Sequence, residues 1–199
     1  MKKGKNSNHP KSGSKIKVQP IIKIKDIKAI KKILSDNPRN LCIFILGINT
    51  NLRASDLCNL KVDHVKDLKA GDEINLIEQK TKKTRCINLN QDCITSIQNL
   101  LSDQTYKSSD NLFLSQRASK LTVPSINRLV KTWCKDINLK GNYGSHTLRK
   151  TWGYHQRVSF NASLPELMSC YNHSTQKQTL DYLCIQRKEI KNIYMNAIG

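Results

Sequence analysis

The longest uninterrupted apolar segment, Leu41 to Ile48, constrains the fold of this chain more than any other feature. A helix over this segment would be apolar on every side, so it has to be buried, and Asn49-Thr50-Asn51 directly after it favours a turn. The segment is far shorter than the roughly 20 residues that cross a bilayer as a helix. It therefore predicts a buried helix, and a chain of 199 residues is long enough to build a core around it.

Periodicity predicts helices over most of the remaining chain and strands in one stretch. Ile74 to Glu78 and Thr84 to Leu89 have the composition of two strands joined by a polar loop, which indicates a β-hairpin. Residues 62–65 are a candidate third strand. Further helices are predicted from Asp26, as a plausible N-cap, and over 55–60, 91–101, 124–137, 147–158, 163–170 and beyond 174. The predicted class is mainly α with a small antiparallel β-sheet, an α+β fold.

Positive charge is in excess along the whole chain. Lysine and arginine number 34 against 15 acidic residues, a formal charge of +19, which favours a polyanionic partner and nucleic acid ahead of a membrane surface. The first 25 residues contain eight lysines and no acidic residue. Because the start of the chain has little apolar material, residues 1–22 are predicted to form a flexible basic arm and residues 23–199 the folded domain.

The sequence lacks the residues and motifs that several classes of chemistry require. The seven cysteines form no Cys-x-x-Cys pair and fall mostly in apolar patterns, as is typical of reduced thiols in a cytosolic protein. The N-terminus has no apolar secretory-signal core, and the chain has no glycine-rich phosphate loop, H-E-x-x-H or G-x-S-x-G motif. No metal or cofactor is therefore expected. Cleavage of DNA would depend on covalent attack by a side chain, assisted by fixed cations.

Two segments in the C-terminal third offer side chains for such an attack. Ser145-His146-Thr147-Leu148-Arg149 opens a predicted helix, and the i, i+3 spacing places His146 and Arg149 on one face near the positive helix N-terminus. Asn172-His173-Ser174 follows, with Tyr182 nine residues after His173. Taken singly, these residues are better explained by a solvated helix face, a capping serine or a core histidine, and a packed tyrosine.

Taken together, the segments resemble the motifs of the tyrosine recombinase (phage integrase) family. They are similar to its first arginine box, its hairpin lysine, its H-x-x-R box and its H-S sequence before the tyrosine. The matching stretches are Thr50-Asn51-Leu52-Arg53-Ala54-Ser55-Asp56-Leu57, Lys80-Thr81-Lys82-Lys83-Thr84-Arg85, His146-Thr147-Leu148-Arg149-Lys150-Thr151 and Asn172-His173-Ser174 with Tyr182.

The chain departs from the usual family pattern at three places. Asn51 and Asn172 stand where the family commonly has glycine, and Asp56 stands where it has glutamate. Asparagine tolerates the left-handed backbone conformation that glycine would supply, and aspartate keeps the carboxylate. We therefore expect the chemistry to be retained.

The resemblance implies that Tyr182 attacks the scissile phosphodiester and forms a 3′-phosphotyrosyl enzyme. It implies that the arginines clamp the non-bridging oxygens, that a lysine protonates the leaving 5′-oxygen, and that the histidines assist. The predicted catalytic residues are Tyr182, Arg53, Lys80, His146, Arg149 and His173, with Lys82 an alternative to Lys80 as the general acid. The predicted DNA-binding residues are Lys82, Lys83, Arg85 and Lys150.

The resemblance also implies partners. Double-stranded DNA with specific recombination sites is expected, together with self-association as a tetramer on two sites through a C-terminal helix after Tyr182. Accessory DNA-bending proteins are further candidate partners, and no membrane partner is expected. The implied location is cytoplasmic and nucleoid-associated, in a bacterial, phage or mobile-element context.

The short N-terminal region narrows the likeness within the family. Only about 25 residues precede the first predicted helix, so no N-terminal core-binding domain is expected. The chain is most similar to short, catalytic-domain-only recombinases, such as fimbrial-switch invertases and small mobile-element integrases. Integration, excision and inversion stay open as outcomes. The rival functions are a type IB topoisomerase-like nicking-closing enzyme and a non-catalytic DNA-binding regulator that retains the fold.

Overall fold

The computed structural model describes residues 17–77, 84–103, 105–185, 191, 194, 195 and 197. Within these residues the α-helices are α1 (Ile24–Ile33), α2 (Pro38–Asn49), α3 (Ala54–Asn59), α4 (Gln91–Asp103), α5 (Val123–Asp136), α6 (Ser145–Val158), α7 (Leu164–Tyr171) and α8 (Gln176–Leu183). The strands β1 (Glu73–Ile77) and β2 (Thr84–Asn88) pair antiparallel, with Asn75 opposite Cys86. The predicted fold class, mainly α with a small antiparallel sheet, is confirmed.

Helix α2 is the buried helix that the apolar segment predicts. The Asn37 side chain caps its start by accepting a backbone hydrogen bond, and the helix packs against α4 and α6. Gly47 allows the close approach to α6, because a Cβ atom at this position would fall 2.5 Å from the Leu148 side chain. This contact between α2 and α6 fixes the helix that opens with the H-x-x-R box.

A second, smaller apolar cluster joins the last three helices. Its buried members come from α6, α7, the end of α8 and the second residue after α8, and they are Tyr154, Leu167, Tyr171, Leu183 and Ile185. Gly153 in α6 lies against the Tyr171 side chain, where a Cβ atom would collide with the phenol ring. The helix that contains Tyr182 is therefore held by packing of its own, beside the main core.

The N-terminal strap, defined here as residues 17–21, lies along α6. The Ile21 backbone N–H donates to Thr151 Oγ1 at 2.9 Å, and the Ile21 carbonyl oxygen lies 3.0 Å from His155 Nε2. The Gln19 N–H donates to the Asn142 carbonyl oxygen at 2.8 Å. The last residues of the predicted arm, 1–22, thus pack on the domain, while residues 1–16 lie outside the described part.

Two local predictions are wrong. Residues 62–65 do not form a third strand, because Val62–His64 is a single 3₁₀ turn and pairing with the neighbouring segment is limited to one bridge, Lys61 with Asn111. Helix α1 begins at Ile24, so Asp26 lies inside the first turn and does not cap the helix. Over the described ranges, no helix combines the length and the apolar character that crossing a membrane requires.

Candidate active site

The start of α6 presents two of the predicted catalytic side chains. The Ser145 N–H donates to Asn127 Oδ1 at 3.0 Å, so one of the N–H groups left open at the helix start is used by α5. The three-residue spacing then places His146 and Arg149 one turn apart, on the same side of the helix. This anchoring sets the direction in which both side chains leave the helix.

The first arginine box forms a turn followed by α3. Asn51 has a φ of 54°, the left-handed conformation expected from a residue that replaces glycine. Arg53 precedes α3, and its backbone N–H donates to Asp56 Oδ2 at 3.1 Å. The aspartate therefore closes the helix start with its carboxylate, and its shorter side chain still reaches the arginine backbone.

Arginine side chains from three parts of the chain converge beside this turn. Arg149 and Arg85 each donate through Nη1 to the Asn51 carbonyl oxygen, at 2.9 and 3.1 Å. The charges of Arg85 and Arg53 are both close enough to act on Arg149. Burial lowers the pKa of Arg149 to about 10, so this guanidinium stays charged at neutral pH. The result is a concentrated, partly desolvated positive field.

Tyr182 lies in α8 with its hydroxyl facing this positive field. Its oxygen is 3.4 Å from His146 Nδ1, a long hydrogen bond of the kind that tightens when a substrate binds. Burial raises the pKa of the Tyr182 hydroxyl, while the charges of Arg149 and Arg53 oppose that rise. The hydroxyl is therefore protonated near neutral pH, and the two arginines are the groups that would stabilise its ionised form.

His173 stands on an aromatic platform directly after α7. Asn172 ends α7 in the left-handed conformation, with a φ of 56°. The His173 ring stacks on Tyr171, with centroids 5.0 Å apart and planes 15° apart, and its Nδ1 lies 3.1 Å from Thr179 Oγ1. Since Nδ1 is used in this way, Nε2 is the ring nitrogen that can serve a ligand.

Both histidines are held in their neutral form. Partial burial lowers the pKa of His146, and three neighbouring cations lower it further; they are Arg149, Lys150 and Arg53. Burial, followed by the charges of Arg149 and Arg53, also lowers the pKa of His173. Each ring therefore keeps one unprotonated nitrogen at neutral pH, and such a nitrogen can accept a proton.

His146, His173 and Tyr182 line one cavity of about 690 Å³. It opens between the N-terminal strap, the start of α6 and helix α8. Its lining is net positive, because three lysines face one carboxylate, that of Asp181, and the other titratable groups of the wall are neutral. The lysines are Lys17, Lys150 and Lys177, and the neutral groups are His146, His173 and Tyr182. The arrangement suits an anion that is attacked by an oxygen nucleophile. Among the residues that the structure describes, no cluster of side chains could hold a metal ion.

The structure brings together five of the six predicted catalytic residues. Arg149 acts on Tyr182, Arg53 acts on both, and the two histidine rings lie against the tyrosine ring at centroid distances of 6.5 and 5.5 Å. Lys80 lies outside the described residues, as do Lys82 and Lys83. Of the other predicted DNA contacts, Arg85 points to the Asn51 carbonyl and Lys150 is buried in the cavity wall.

Tyr171 is a site residue that the sequence reasoning did not identify. Its hydroxyl donates to the Arg149 carbonyl oxygen at 2.8 Å, and its ring contacts the guanidinium of Arg149 and the rings of His173 and Tyr182. Its position two residues before His173 was the one available signal. A tyrosine in an apolar helix predicts packing equally well, so this signal did not distinguish a site residue from a core residue.

A positively charged cavity beside one tyrosine hydroxyl, on a mainly helical domain, suits nucleophilic attack by a tyrosine on an anionic group. The sequence profile of the phage integrase family matches residues 21–189. The chain belongs to this family.

Similar proteins agree with this assignment. The chain is 34% identical over 181 residues to the probable integrase/recombinase YoeC of Bacillus subtilis (strain 168), covering 89% of this chain and 95% of YoeC. The crystal structure of XerA recombinase superposes with a TM-score of 0.72 at 19% identity, over 90% of this chain and 67% of XerA. A pre-cleavage complex of XerH recombinase with its difH substrate gives 0.65 at 19% identity, over 87% of this chain and 52% of XerH. The chain thus spans about half the length of XerH.

Proposed function

We propose that this chain is a site-specific DNA recombinase that cleaves and rejoins DNA strands through a 3′-phosphotyrosine intermediate. The observation that carries the proposal is the Tyr182 hydroxyl, 3.4 Å from His146 Nδ1 and within the field of the buried Arg149 guanidinium. Membership of the phage integrase family, and the names integrase and recombinase among similar proteins, support the same reaction.

The first chemical step follows from the charges around Tyr182. The tyrosine oxygen forms a bond to phosphorus, its proton passes to His146 Nδ1, and the bond from phosphorus to the 5′-oxygen breaks. Neutral His146 is suited to accept the proton, because protonated imidazole has no lone pair left. Arg53 and Arg149 stabilise the charge that develops on the non-bridging oxygens, which planar, permanently charged guanidinium groups do well.

The leaving 5′-oxygen takes up a proton, and Lys80 is the residue we propose for this step. It belongs to the connection between β1 and β2, outside the described residues. His173 donates a hydrogen bond to the phosphate from Nε2. In the second step a 5′-hydroxyl from another strand attacks the phosphotyrosine, which reseals the DNA and frees Tyr182. The energy of the broken phosphodiester is kept in the phosphotyrosine, so neither ATP nor a metal ion is needed.

Double-stranded DNA with specific sites is the proposed substrate, and a tetramer on two sites is the proposed assembly. The excess positive charge of the chain favours phosphate contacts, and three lysines open into the same cavity as Tyr182. The solved XerH complex holds its difH substrate, which supports DNA as the ligand of this fold.

The deciding experiment uses a nicked duplex that traps the covalent intermediate. Nicked duplexes covering the DNA that flanks the gene are incubated with the protein, and protein–DNA adducts are separated on denaturing gels. We expect an adduct with the unaltered chain, also in excess EDTA, and none with Tyr182→Phe, which keeps the ring and loses only the attacking oxygen.

The other outcomes identify the rival functions. Adducts on arbitrary DNA at equal yield would indicate a topoisomerase-like enzyme. Binding to DNA without any adduct would indicate a regulator that retains the fold. An adduct that disappears with EDTA would contradict the metal-independent mechanism.

A further inference from the structure

Lys150 is a buried cation to which neither chemical step of the proposed reaction assigns a role. It follows Arg149 in α6 and lies in the wall of the cavity, only 5% exposed. The DNA contact predicted for Lys150 stays a prediction. Placing an ammonium group out of water is costly unless other groups compensate for the lost hydration. The atoms around Nζ therefore indicate what the residue does.

The neighbours of the Lys150 ammonium belong to the segment that contains the nucleophile. Nζ lies 4.8 Å from the centroid of the Tyr182 ring and 3.6 Å from Cys184 Sγ. Across the described part of the chain, no carboxylate forms an ion pair with it. A cation over an aromatic face is attracted to the ring. Lys150 thus joins α6, which presents His146, to the end of α8, which presents Tyr182.

The contact with Cys184 is suited to orienting that end of α8. Cys184 ends the helix in the left-handed conformation, with a φ of 62°, and its N–H donates to the Leu180 carbonyl oxygen. Its sulfur also lies 3.7 Å from the Tyr182 carbonyl oxygen. Lys150 therefore contacts the Tyr182 ring directly. Through Cys184 it also contacts the last turn of α8.

We propose that Lys150 is a positioning residue for the His146–Tyr182 pair: its ammonium group holds the tyrosine ring against α6 and places a positive charge in the same cavity wall as His146. This inference rests on the proposed recombinase function. The two effects have one purpose, because the proton can move to Nδ1 only when the hydroxyl is close and the nitrogen has a free lone pair.

The second effect has a definite sign. The charge of Lys150 is one of the causes that lower the pKa of His146. His146 is a competent base above its pKa, so adduct formation falls as the pH drops through that value. Removing the charge raises the pKa, and the acidic limb of the rate profile moves to higher pH. Loss of packing alone would slow the reaction equally at all pH values.

Other charged or titratable groups also face His146, and each variant leaves them in place. They come from the N-terminal strap, the start of α3, α6, the turn after α7, and α8, and they are Lys17, Arg53, Arg149, His173, Lys177, Asp181 and Tyr182.

The test is the pH dependence of adduct formation in a single turnover, with the nicked duplex saturated by protein. For Lys150→Met and Lys150→Gln we expect a slower reaction and an acidic limb shifted by roughly 0.5 to 1 pH unit to higher pH, the size typical of a lost like charge nearby. Lys150→Arg keeps the charge, so its limb stays in place. Lys135→Met, which removes an exposed lysine from α5 outside the cavity, also leaves the limb in place.

A second readout does not depend on catalysis. NMR titration of the His146 ring in the DNA-free protein should show the same upward shift of its pKa in both uncharged variants. An unmoved limb and an unmoved titration, in variants that form adducts, would overturn the inference. Unfolding of both uncharged variants while Lys150→Arg stays folded would also overturn it, because the lysine would then serve the fold. Absence of any adduct with the unaltered chain would instead contradict the proposed function.

Discussion

At the scale of single residues, Asn51 shows how a departure from the family pattern is accommodated. Its backbone adopts the left-handed conformation that glycine would supply, and its carbonyl oxygen accepts hydrogen bonds from Arg85 and Arg149. Its side chain adds a contact that glycine cannot make, since Nδ2 donates to the Cys170 carbonyl oxygen at 2.9 Å. One residue therefore connects the arginine cluster to α7, which leads into His173.

The first prediction separates the backbone of Asn51 from its side chain. Asn51→Gly and Asn51→Ala both lose the bond to Cys170, and only alanine must hold a Cβ atom at positive φ. We expect the alanine variant to be less stable than the glycine variant by about 1–2 kcal/mol. Urea unfolding of the two proteins measures the difference.

Asn99 provides the matched control for this comparison. It is exposed in the middle of α4, where glycine is the worse residue, so Asn99→Ala should exceed Asn99→Gly in stability by about 1 kcal/mol. Equal stability of the two Asn51 variants would show that the backbone conformation at this turn is not strained by a side chain.

At the scale of elements, the sequence predicted those parts of the fold that local periodicity and turn residues determine. The buried helix α2, the hairpin and the helix that opens with His146 all occur close to the predicted bounds. The third strand over 62–65 was wrong, because alternation over four residues does not distinguish a strand from a 3₁₀ turn. The contact of Arg85 with the Asn51 carbonyl and the burial of Lys150 both depend on tertiary packing. Neither the sequence motifs nor the hydrophobic periodicity could predict them.

The N-terminal strap is the element that sequence reasoning missed most clearly. A lysine-rich segment with few apolar residues predicts no packing, yet Ile21 is buried and bonded at both its N–H and its carbonyl group. The two partners, Thr151 and His155, are four residues apart on α6 and so face the same side. The sequence alone does not show that this face of α6 lies next to the N-terminal strap. In the fold, the strap also brings Lys17 to the wall of the cavity.

The second prediction concerns this attachment. Thr151 Oγ1 accepts from the Ile21 N–H and donates to the Thr147 carbonyl oxygen at 2.8 Å. Thr151→Val keeps the shape and leaves the buried Ile21 N–H without its partner, which should cost about 1–3 kcal/mol of stability. Thr151→Ser keeps the hydroxyl and is the control.

Amide hydrogen exchange at Ile21 locates the effect in the strap. Exchange should accelerate in Thr151→Val and stay slow in Thr151→Ser. Equal protection of the Ile21 amide in both variants would mean that the strap is held by its apolar contacts alone, without help from the threonine hydroxyl.

At the scale of the whole molecule, the proposed assembly needs a surface through which copies of the chain meet. The sequence after Tyr182 has apolar residues at 190, 193, 194, 197 and 198, a spacing that gives a helix one apolar face. Of these positions, Tyr194 and Ala197 are described. Tyr194 is 84% exposed, and its neighbour Met195 is 72% exposed. Large apolar side chains with this exposure fit contact with another protomer better than packing on their own core.

The last prediction tests whether these two side chains join protomers. Tyr194→Ser combined with Met195→Ser should leave affinity for a single DNA site unchanged, because neither residue lines the catalytic cavity. Strand exchange between two sites should fall by about 30-fold, the effect of losing one interface hot spot of ~2 kcal/mol.

Phe160→Ser removes an equally exposed aromatic side chain from the α6–α7 connection and should leave strand exchange intact. Gel shifts on one site and recombination between two sites separate binding from assembly. Undiminished strand exchange in the double variant would place the contact between protomers elsewhere on the molecule.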